Sequence, residues 1–217
     1  MTEIELRKLY VMTASKYIGS TEGSEGHKKI INTYNSITPL PRGVKMTLGY
    51  AWCAASVSAW AVEAKLTEIM PLECSCTRQI DILRARGRWV EDDNFMPNVG
   101  DLVYYCWTAA KTGDCTAAPD HVGVVSKIDG DYITVIEGNK SDCVSTRLIR
   151  RNDQYIRGFG IPDYAKLADK TKTETELAKE WAIKNGLIKG YGNGEYGWKD
   201  NVTREQLAVI LYRKESK

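Results

Sequence analysis

The sequence has few of the features that mark several classes of protein. Its formal net charge is only +2, and its basic residues are interleaved with acidic ones, so we expect no nucleic-acid partner. No stretch approaches the roughly eighteen apolar residues of a membrane span. Glu3, Glu5, Arg7 and Lys8 interrupt the region where a signal peptide needs an apolar core. We therefore expect a globular protein that is synthesised in the cytoplasm without a signal peptide and does not insert into a membrane.

Cysteine and histidine are also scarce, with six and two residues in a chain of 217. Six thiols are too few for a disulfide scaffold of this length, and without a signal peptide they should start reduced. His27 and His121 are the only imidazoles. Any cysteine–histidine site must therefore use one of these two residues.

The order of hydrophobic patterns predicts an α+β fold. Apolar residues at helical spacing indicate helices over 3–17, 27–37 and 52–66. Short β-rich runs separated by turn signals follow them, at 101–107, 121–128, 132–138, 145–150 and 155–161. Asp129-Gly130 predicts a hairpin between the second and third runs. Helices followed by antiparallel strands are typical of the α+β class.

The composition changes near residue 165. Residues 165–173 are polar and nearly free of large apolar side chains, which predicts a linker between a domain at 1–164 and a C-terminal unit at 174–217. A unit of roughly 40 residues is too short for a robust core of its own. We expect it to pack on another surface or to associate with copies of itself, which would make the protein a homo-oligomer.

Cys53 lies at the predicted start of the third helix, in the stretch GYAWCAASVSAW. From the residues alone it is a packed core thiol, one half of a disulfide, a metal ligand or a nucleophile. A thiol in a first helical turn lies at the positive end of the helix dipole beside unpaired amides, which favours the thiolate. The backbone N–H of Cys53 is also available as an oxyanion donor, an interaction worth on the order of 3 kcal/mol in acyl transfer.

The predicted hairpin brings a carboxylate close to the second histidine. His121 starts one strand and Glu137 ends the next, so Glu137 is expected to hold the imidazole in one tautomer. Asn139 would point the same way as Glu137 if the strand extended that far. With Cys53 these groups form a nucleophile, a base and an orienting residue. The alternative is that His121, like many histidines at strand starts, is structural.

Three stretches in this order, YAWCAASVSAW, PNVGDLVYY and DHVGVVSKIDGDYITVIEGN, resemble the CHAP family of cysteine, histidine-dependent amidohydrolases/peptidases, a papain-like group of cell-wall lytic enzymes. The resemblance covers residues 18–161 and implies a papain-like fold. It also implies the roles of five residues: Cys53 as nucleophile, His121 as base, Glu137 as orienting residue, Asn139 as a further polar catalytic member and Trp52 as a substrate contact.

The loop before Cys53 departs from part of that family. Some lytic members hold calcium in an aspartate-rich loop at this place, whereas PLPRGVKMTLGY contains no carboxylate, so we expect no metal there. The chemistry requires no organic cofactor. The stretch IGSTEGSEGHKKIINTYN resembles the region before the cysteine in a phage-associated branch, which implies that His27 is structural or lines a groove.

The other cysteines leave three interpretations open. Cys74, Cys76, Cys106 and Cys115 supply enough thiolates for zinc, although a Cys-x-Cys pair is not the usual spacing of zinc fingers. Alternatively two of them form a disulfide, for which Cys106 and Cys115 at the ends of CWTAAKTGDC are candidates. In the third interpretation they are free thiols, and Cys143 is equally undecided.

The C-terminal stretch WAIKNGLIKGYGNGEYGWKDNVTREQLAVILYR resembles a single S-layer homology motif. In its usual threefold sets this module attaches proteins to secondary cell-wall polysaccharide. The sequence has one copy and lacks the aromatic-x-Asp opening of the motif. The resemblance makes Arg204 the candidate sugar contact, and the alternative is an exposed charge at a helix start in a packing module.

Together the resemblances imply a peptidoglycan hydrolase. Cys53 would attack an amide carbonyl of the wall peptide, His121 would protonate the leaving amine, and water would hydrolyse the thioester. The expected bond joins muramic acid to L-alanine, with a stem-peptide or cross-bridge bond, or an inert wall-binding protein, as alternatives. A lytic domain without a signal peptide implies a phage endolysin that acts at the cell wall after release through a separate pore.

Overall fold

The computed structural model describes residues 1–92, 94–107, 115–168, 174–192 and 194–215. The chain divides into two compact units, Met1–Ala168 and Asp169–Lys217. The helices of the first unit are α1 (Glu3–Ser15), α2 (Glu25–Asn35), α3 (Cys53–Glu63), α4 (Cys76–Ala85) and α5 (Tyr164–Leu167), with a 3₁₀ turn at Pro41–Gly43. Its strands are β1 (Trp89–Val90), β2 (Leu102–Tyr105), β3 (His121–Asp129), β4 (Tyr132–Glu137), β5 (Ser145–Arg150) and β6 (Ile156–Gly160).

The six strands form one antiparallel sheet in the order β1-β6-β2-β3-β4-β5. Because helices precede an antiparallel sheet, the predicted α+β class is confirmed. The predicted hairpin is also confirmed, since Asp129 of β3 pairs with Tyr132 of β4. None of the described helices is both long and apolar enough to cross a membrane.

Helix α3 lies at the centre of the first unit, between α1, α2 and the sheet. Its residues from Cys53 to Ala61 are all buried, and the hydroxyl of Tyr10 in α1 donates to the carbonyl of Val57 at 2.8 Å. The helix approaches the end of β4 so closely that a Cβ on Gly138 would lie 2.1 Å from Ser56 Oγ. Small side chains on α3 therefore permit the close approach that places its first turn beside the β3–β4 hairpin.

Three features differ from the sequence prediction or extend it. Helix α4 and strand β1 were not predicted. Helix α4 begins after Ser75, whose hydroxyl accepts from the backbone N–H of Arg78. Residues Tyr164–Leu167 form a short helix where the linker was expected to begin, because the ring of Tyr164 is buried and its hydroxyl donates to the carbonyl of Gly100 at 2.7 Å. The rest of the predicted linker, from residue 169 to 173, lies outside the described residues.

The second unit contains helix α6 (Glu174–Lys184) and helix α7 (Arg204–Glu215), joined by a glycine-rich connection. The backbone N–H of Gln206 donates to the Thr203 hydroxyl, and the Gln206 side chain accepts from the Thr203 N–H, so a reciprocal cap starts α7. Arg213 Nη1 donates to the carbonyl of Leu187 at 3.0 Å. This contact ties the last turn of α7 to the segment that follows α6.

Candidate active site

The β3–β4 hairpin places an imidazole against a carboxylate. His121 is the first residue of β3 and Glu137 the last of β4, with Gly123 directly opposite Glu137. Since residues two apart on a strand share a face, both side chains lie on the same side of the hairpin. His121 Nε2 is 3.2 Å from Glu137 Oε2. The pairing predicted from the sequence is present in the structure.

Cys53 faces this pair from the first turn of α3. Its thiol and the His121 imidazole are close enough to shift each other's pKa. Because Nε2 of the imidazole faces Glu137, Nδ1 is the ring nitrogen left for the thiol. By helix geometry the backbone N–H of Cys53 also lacks an intrahelical carbonyl acceptor, which leaves it available to an oxyanion. The structure therefore brings Cys53, His121 and Glu137 together, as the sequence predicted.

The electrostatics of the site favour a thiolate–imidazolium pair. A hydrogen bond from Cys76 is the largest cause that lowers the pKa of Cys53 well below its ordinary value; burial opposes it, and His121 lowers it further. Burial lowers the pKa of His121, but its contacts with Cys53 and Glu137 outweigh burial and raise that pKa to about 9. Cys53 is therefore set up as the anion and His121 as the cation of the pair near neutral pH.

Arg147 of β5 is a site residue that the sequence analysis missed. Its Nε donates to Glu137 Oε1 at 2.7 Å, and its guanidinium lies 4.4 Å from the ring centre of Trp107. Burial raises the pKa of the fully buried Glu137, but His121 and Arg147 outweigh burial and lower it. Ser145 pairs directly with Glu137, so Arg147 shares a face with the carboxylate. Because side chains alternate between the two faces of a strand, the stretch STRLIR places Arg147 on the face of Ser145. This pattern predicts the contact with Glu137 only once the register of β5 with β4 is known.

Cys76, the first residue of α4, is the second missed member. Its Sγ lies 3.9 Å from Cys53 Sγ. The neighbouring Cys53, together with burial, raises the pKa of Cys76 well above its ordinary value. The opposite pKa shifts of the two thiols favour the thiolate at Cys53 and the protonated form at Cys76.

The other cysteines do not form a shared zinc site, since the described residues contain no cluster of three or more metal-ligating side chains. Cys106 and Cys115 form a disulfide with their Cα atoms 6.4 Å apart, and most of the loop between them, residues 108–114, lies outside the described residues. Cys74 is a free thiol whose Sγ is 3.9 Å from an Arg42 guanidinium nitrogen. Cys143 is also free. The interpretation of four zinc thiolates is therefore wrong, and a disulfide and free thiols occur together.

Two expectations for flanking residues need correction. Trp52 was expected to contact substrate, but its side chain is completely buried and its ring packs 4.4 Å from the ring of His27. Asn139 was expected to continue the alternation of β4, but the strand ends at Glu137 and Asn139 adopts a φ of 58° in the following turn. Asn139 Oδ1 is buried without a hydrogen-bond partner among the described residues, so its catalytic role stays a prediction.

His27 is buried within the helical layer. Its Nδ1 accepts from the backbone N–H of Gly23 at 2.9 Å, and burial lowers the pKa of its imidazole. The neutral ring of His27 packs against the ring of Trp52. The arrangement agrees with the structural interpretation of His27 and not with the groove-lining one.

The second unit contains a cleft of about 360 Å³ beside α7. Aromatic and polar residues line part of it, including Tyr191, Tyr196, Trp198, Asp200 and Gln206. Arg204 is exposed at the first position of α7 and is not among the lining residues. If this residue contacts a sugar, it does so from the surface of the unit and not from inside the cleft.

Comparisons with known proteins give two matches to family models and two similar solved structures. The model of the CHAP domain matches residues 45–139, and that of the S-layer homology domain matches residues 180–208. Two solved structures, titled "The crystal structure of Ly7917" and "The crystal structure of Ly7917 with the hydrolyzing product of MDP", are each 16% identical in sequence. The alignments cover 64% and 63% of this chain and 62% of each of those chains, with TM-scores of 0.37 and 0.32.

No curated protein matches the chain. The two family matches fall on different units, with the first spanning Cys53, His121 and Glu137 and the second spanning the start of α7. The chain therefore carries a CHAP domain and, after it, an S-layer homology domain.

Proposed function

We propose that this protein is a peptidoglycan hydrolase that cleaves an amide bond of the wall peptide with Cys53 as the nucleophile. The observation that carries the proposal is the contact of the His121 imidazole with the buried Glu137 carboxylate, beside the Cys53 thiol, whose pKa the same imidazole lowers. A nucleophile, a base and an orienting group in this order are the arrangement that acyl transfer requires. The CHAP match supports a peptidoglycan hydrolase at the level of the class.

The proposed reaction has two stages. The Cys53 thiolate attacks the amide carbonyl, and the oxyanion that forms accepts a hydrogen bond from the Cys53 backbone N–H. His121, held by Glu137, gives its proton to the departing amine, so that a thioester remains. His121 then takes a proton from water, the resulting hydroxide attacks the thioester, and the acid product leaves as the thiolate reforms. Arg147 keeps the Glu137 carboxylate ionised throughout.

Substitution of the nucleophile tests the proposal. Cys53→Ala should abolish the lysis of purified walls, while Cys143→Ser, which removes a free thiol elsewhere in the unit, should lyse them like the unmodified protein. Both variants should keep the thermal unfolding temperature within a few degrees. Lysis by Cys53→Ala at the rate of the control would show that the nucleophile is wrongly assigned.

We propose the bond between muramic acid and L-alanine as the target, as the family resemblance implies. Mass spectrometry of digested peptidoglycan identifies the bond, because this cleavage frees intact stem peptides from the lactoyl groups of the glycan. Fragments of a cut stem peptide or cross-bridge would instead identify an endopeptidase. We also propose the endolysin role, which predicts that purified protein reduces the turbidity of suspended host cells.

For the second unit we propose attachment to secondary cell-wall polysaccharide, with Arg204 at its surface as a sugar contact. The S-layer homology match supports this role. The full chain should pellet with intact walls and less with walls stripped of secondary polymer. Arg204→Ala should weaken the pelleting, whereas Lys214→Ala, which removes an exposed positive charge at the other end of α7, should not. Equal pelleting with both wall preparations would exclude the polysaccharide role.

A further inference from the structure

Two free thiols begin two helices and meet at the candidate site. Cys53 is the first residue of α3 and Cys76 the first residue of α4, and their sulfur atoms are 3.9 Å apart. The proposed hydrolysis uses Cys53 and gives Cys76 no step of its own. A second thiol within contact distance of a nucleophile is therefore a feature that the reaction leaves unexplained.

Buried hydrogen bonds hold the two helices in this arrangement. The amide of Gln79, in the first turn of α4, donates to the carbonyl of Ala54 in α3 at 3.1 Å and to Ser58 Oγ at 3.2 Å. The carbonyl oxygen of the same amide accepts from Tyr104 of β2 at 3.1 Å. Since the Gln79 side chain is fully buried, these bonds fix the first turn of α4 beside the first turn of α3. The approach of the two sulfur atoms is thus built into the fold.

The two thiols also differ in pKa, and thiol–disulfide exchange needs one thiol that ionises readily to attack first. The pKa of Cys53 lies below its ordinary value and that of Cys76 above it, so Cys53 is the thiol of the pair that ionises first. Each residue retains a small exposed fraction, 6% for Cys53 and 7% for Cys76. A reactive thiolate with a neighbouring thiol as a second reactant is the arrangement of a redox-sensitive pair.

We propose that Cys76 is a resolving cysteine that forms a reversible disulfide with Cys53 in the presence of a low-molecular-weight disulfide. A disulfide bond is about 2.05 Å long, so the sulfur atoms, now 3.9 Å apart, have to approach by about 2 Å. The modification would block the proposed nucleophile and would return it intact when a thiol reductant is added.

The exchange balances in two steps. The Cys53 thiolate attacks one sulfur of the small disulfide, whose S–S bond breaks and releases one small thiolate. Cys76 then loses its proton and attacks the Cys53 sulfur of the mixed disulfide, releasing the second small thiolate. The proton from Cys76 and one from solvent convert the two released thiolates to thiols. Two protein thiols are oxidised, and one small disulfide is reduced to two thiols.

Peptide mapping of the oxidised full-length protein tests the pairing directly. The protein is incubated with glutathione disulfide, freed of reagent, digested without reduction and analysed by mass spectrometry. We expect a peptide pair linked through Cys53 and Cys76. Lysis of purified walls should fall by at least about tenfold and should return when dithiothreitol is added.

Cys76→Ser is the matched variant. It should stop at the mixed disulfide, with glutathione attached to Cys53, and its lysis is compared with its own reduced form. Cys74→Ser removes the thiol two residues away and should still give the link between Cys53 and Cys76. If Cys76→Ser does not fold, the mapping of the unmodified protein decides alone.

The outcomes separate this inference from the proposed function, on which its activity readout depends. If Cys53 carries only glutathione, or links to Cys74, the resolving role of Cys76 is wrong even when the reduced protein lyses walls. If the linked pair forms but the reduced protein lyses no walls, the disulfide is established and the hydrolase proposal fails.

Discussion

The main helices of the two units, α3 and α7, differ in how far their side chains are buried. The first unit buries α3 continuously from Cys53 to Ala61 and also encloses charged groups of its site. In the second unit no described residue of α7 is buried, and Leu211 and Tyr212 are 51% and 73% exposed. The first unit therefore has a helix enclosed in its core, whereas α7 of the second presents apolar side chains to solvent.

The charged groups follow the same contrast. Glu137 is fully buried, and it is held by two partners, His121 and Arg147, which together compensate for the loss of its hydration. On α7 the side chains of Arg204, Glu205, Lys214 and Glu215 are exposed to solvent, where an ion pair contributes about 0–1 kcal/mol. Changes in the buried network should consequently have large effects on the chemistry, and changes on the second unit should have small ones.

The largest effect is expected from Glu137→Gln. The amide keeps the shape of the side chain but removes the charge that holds the His121 imidazolium, so turnover should fall by roughly 10²- to 10⁴-fold. The measurement is the release of new termini from purified peptidoglycan. Glu215→Gln on α7 is the matched control and should stay within about twofold of the unmodified protein. A loss of less than tenfold for Glu137→Gln would remove the carboxylate from the proposed mechanism.

Gly123→Ala should have the next largest effect, although it removes no functional group. A Cβ at this position would lie 2.6 Å from Val135 Cγ1 and 2.7 Å from Glu137 Cγ, so the carboxylate has to move. Overpacking of this kind costs about 1–3 kcal/mol in the free energy of unfolding, which urea denaturation measures.

The control for this substitution is Gly49→Ala, because a Cβ on Gly49 meets no atom within 4 Å. Its free energy of unfolding should stay within about 0.5 kcal/mol of the unmodified value. Equal stability of the two variants would mean that β3 and β4 tolerate a side chain between them, and that the position of Glu137 is not fixed by this close approach.

Local patterns were sufficient to predict the centre of the site. The turn at Asp129-Gly130 sets the pairing next to it, and a register shift between Val125 and Lys127 then brings Gly123 opposite Glu137 and His121 beside it. The first turn of α3 was recognisable from the small residues after Cys53. The turn and the helix start depend on short segments of sequence and could be predicted from them, whereas the register shift in the hairpin could not.

The missed residues depend on long-range packing. Arg147 reaches Glu137 only through the pairing of β4 with β5, which places Ser145 opposite Glu137. Cys76 meets Cys53 because buried bonds of Gln79 position α4. A pattern of alternating residues specifies neither contact.

The burial of Trp52 is a similar case. Next to a cysteine in a helix start, an aromatic residue suggests a substrate contact, but its ring is enclosed because His27 of α2 packs against it. The position of α2 relative to α3 decides this exposure, and the spacing of residues within either helix does not determine it.

The pH dependence of the site is a smaller effect that compares the two histidines within one unit. Contacts with Cys53 and Glu137 raise the pKa of His121 to about 9, while burial lowers that of His27. The thiolate–imidazolium pair should therefore persist as pH rises until about 9, where activity declines. Titration by NMR of the two imidazoles, which are the only ones in the chain, measures both values.

The variant Glu137→Gln supplies the comparison for that titration. Loss of the carboxylate removes a group that raises the pKa of His121, so its titration should move to lower pH, while His27 should titrate as before. If His121 titrates at its ordinary value of about 6.5 in the unmodified protein, the buried ion pair does not form in solution.

The smallest effect on the chemistry is expected from the exposed face of the second unit. Leu207 and Leu211 lie four residues apart on α7 and are each about half exposed, so they form one stripe. Burying a fully exposed leucine contributes roughly 1.5–3 kcal/mol, so covering these two half-exposed side chains would contribute about half of that each to association with a second copy of the chain. The double variant Leu207→Ser/Leu211→Ser should therefore have a lower mass in sedimentation or light scattering, with turnover of a soluble muramyl peptide within about twofold of the unmodified protein.

The control is Lys214→Ser, on the same helix, which should keep the mass of the unmodified protein. A monomeric unmodified protein would exclude a second copy as the cover of α7, and a loss of turnover with the stripe would mean that the two units are not independent in their chemistry.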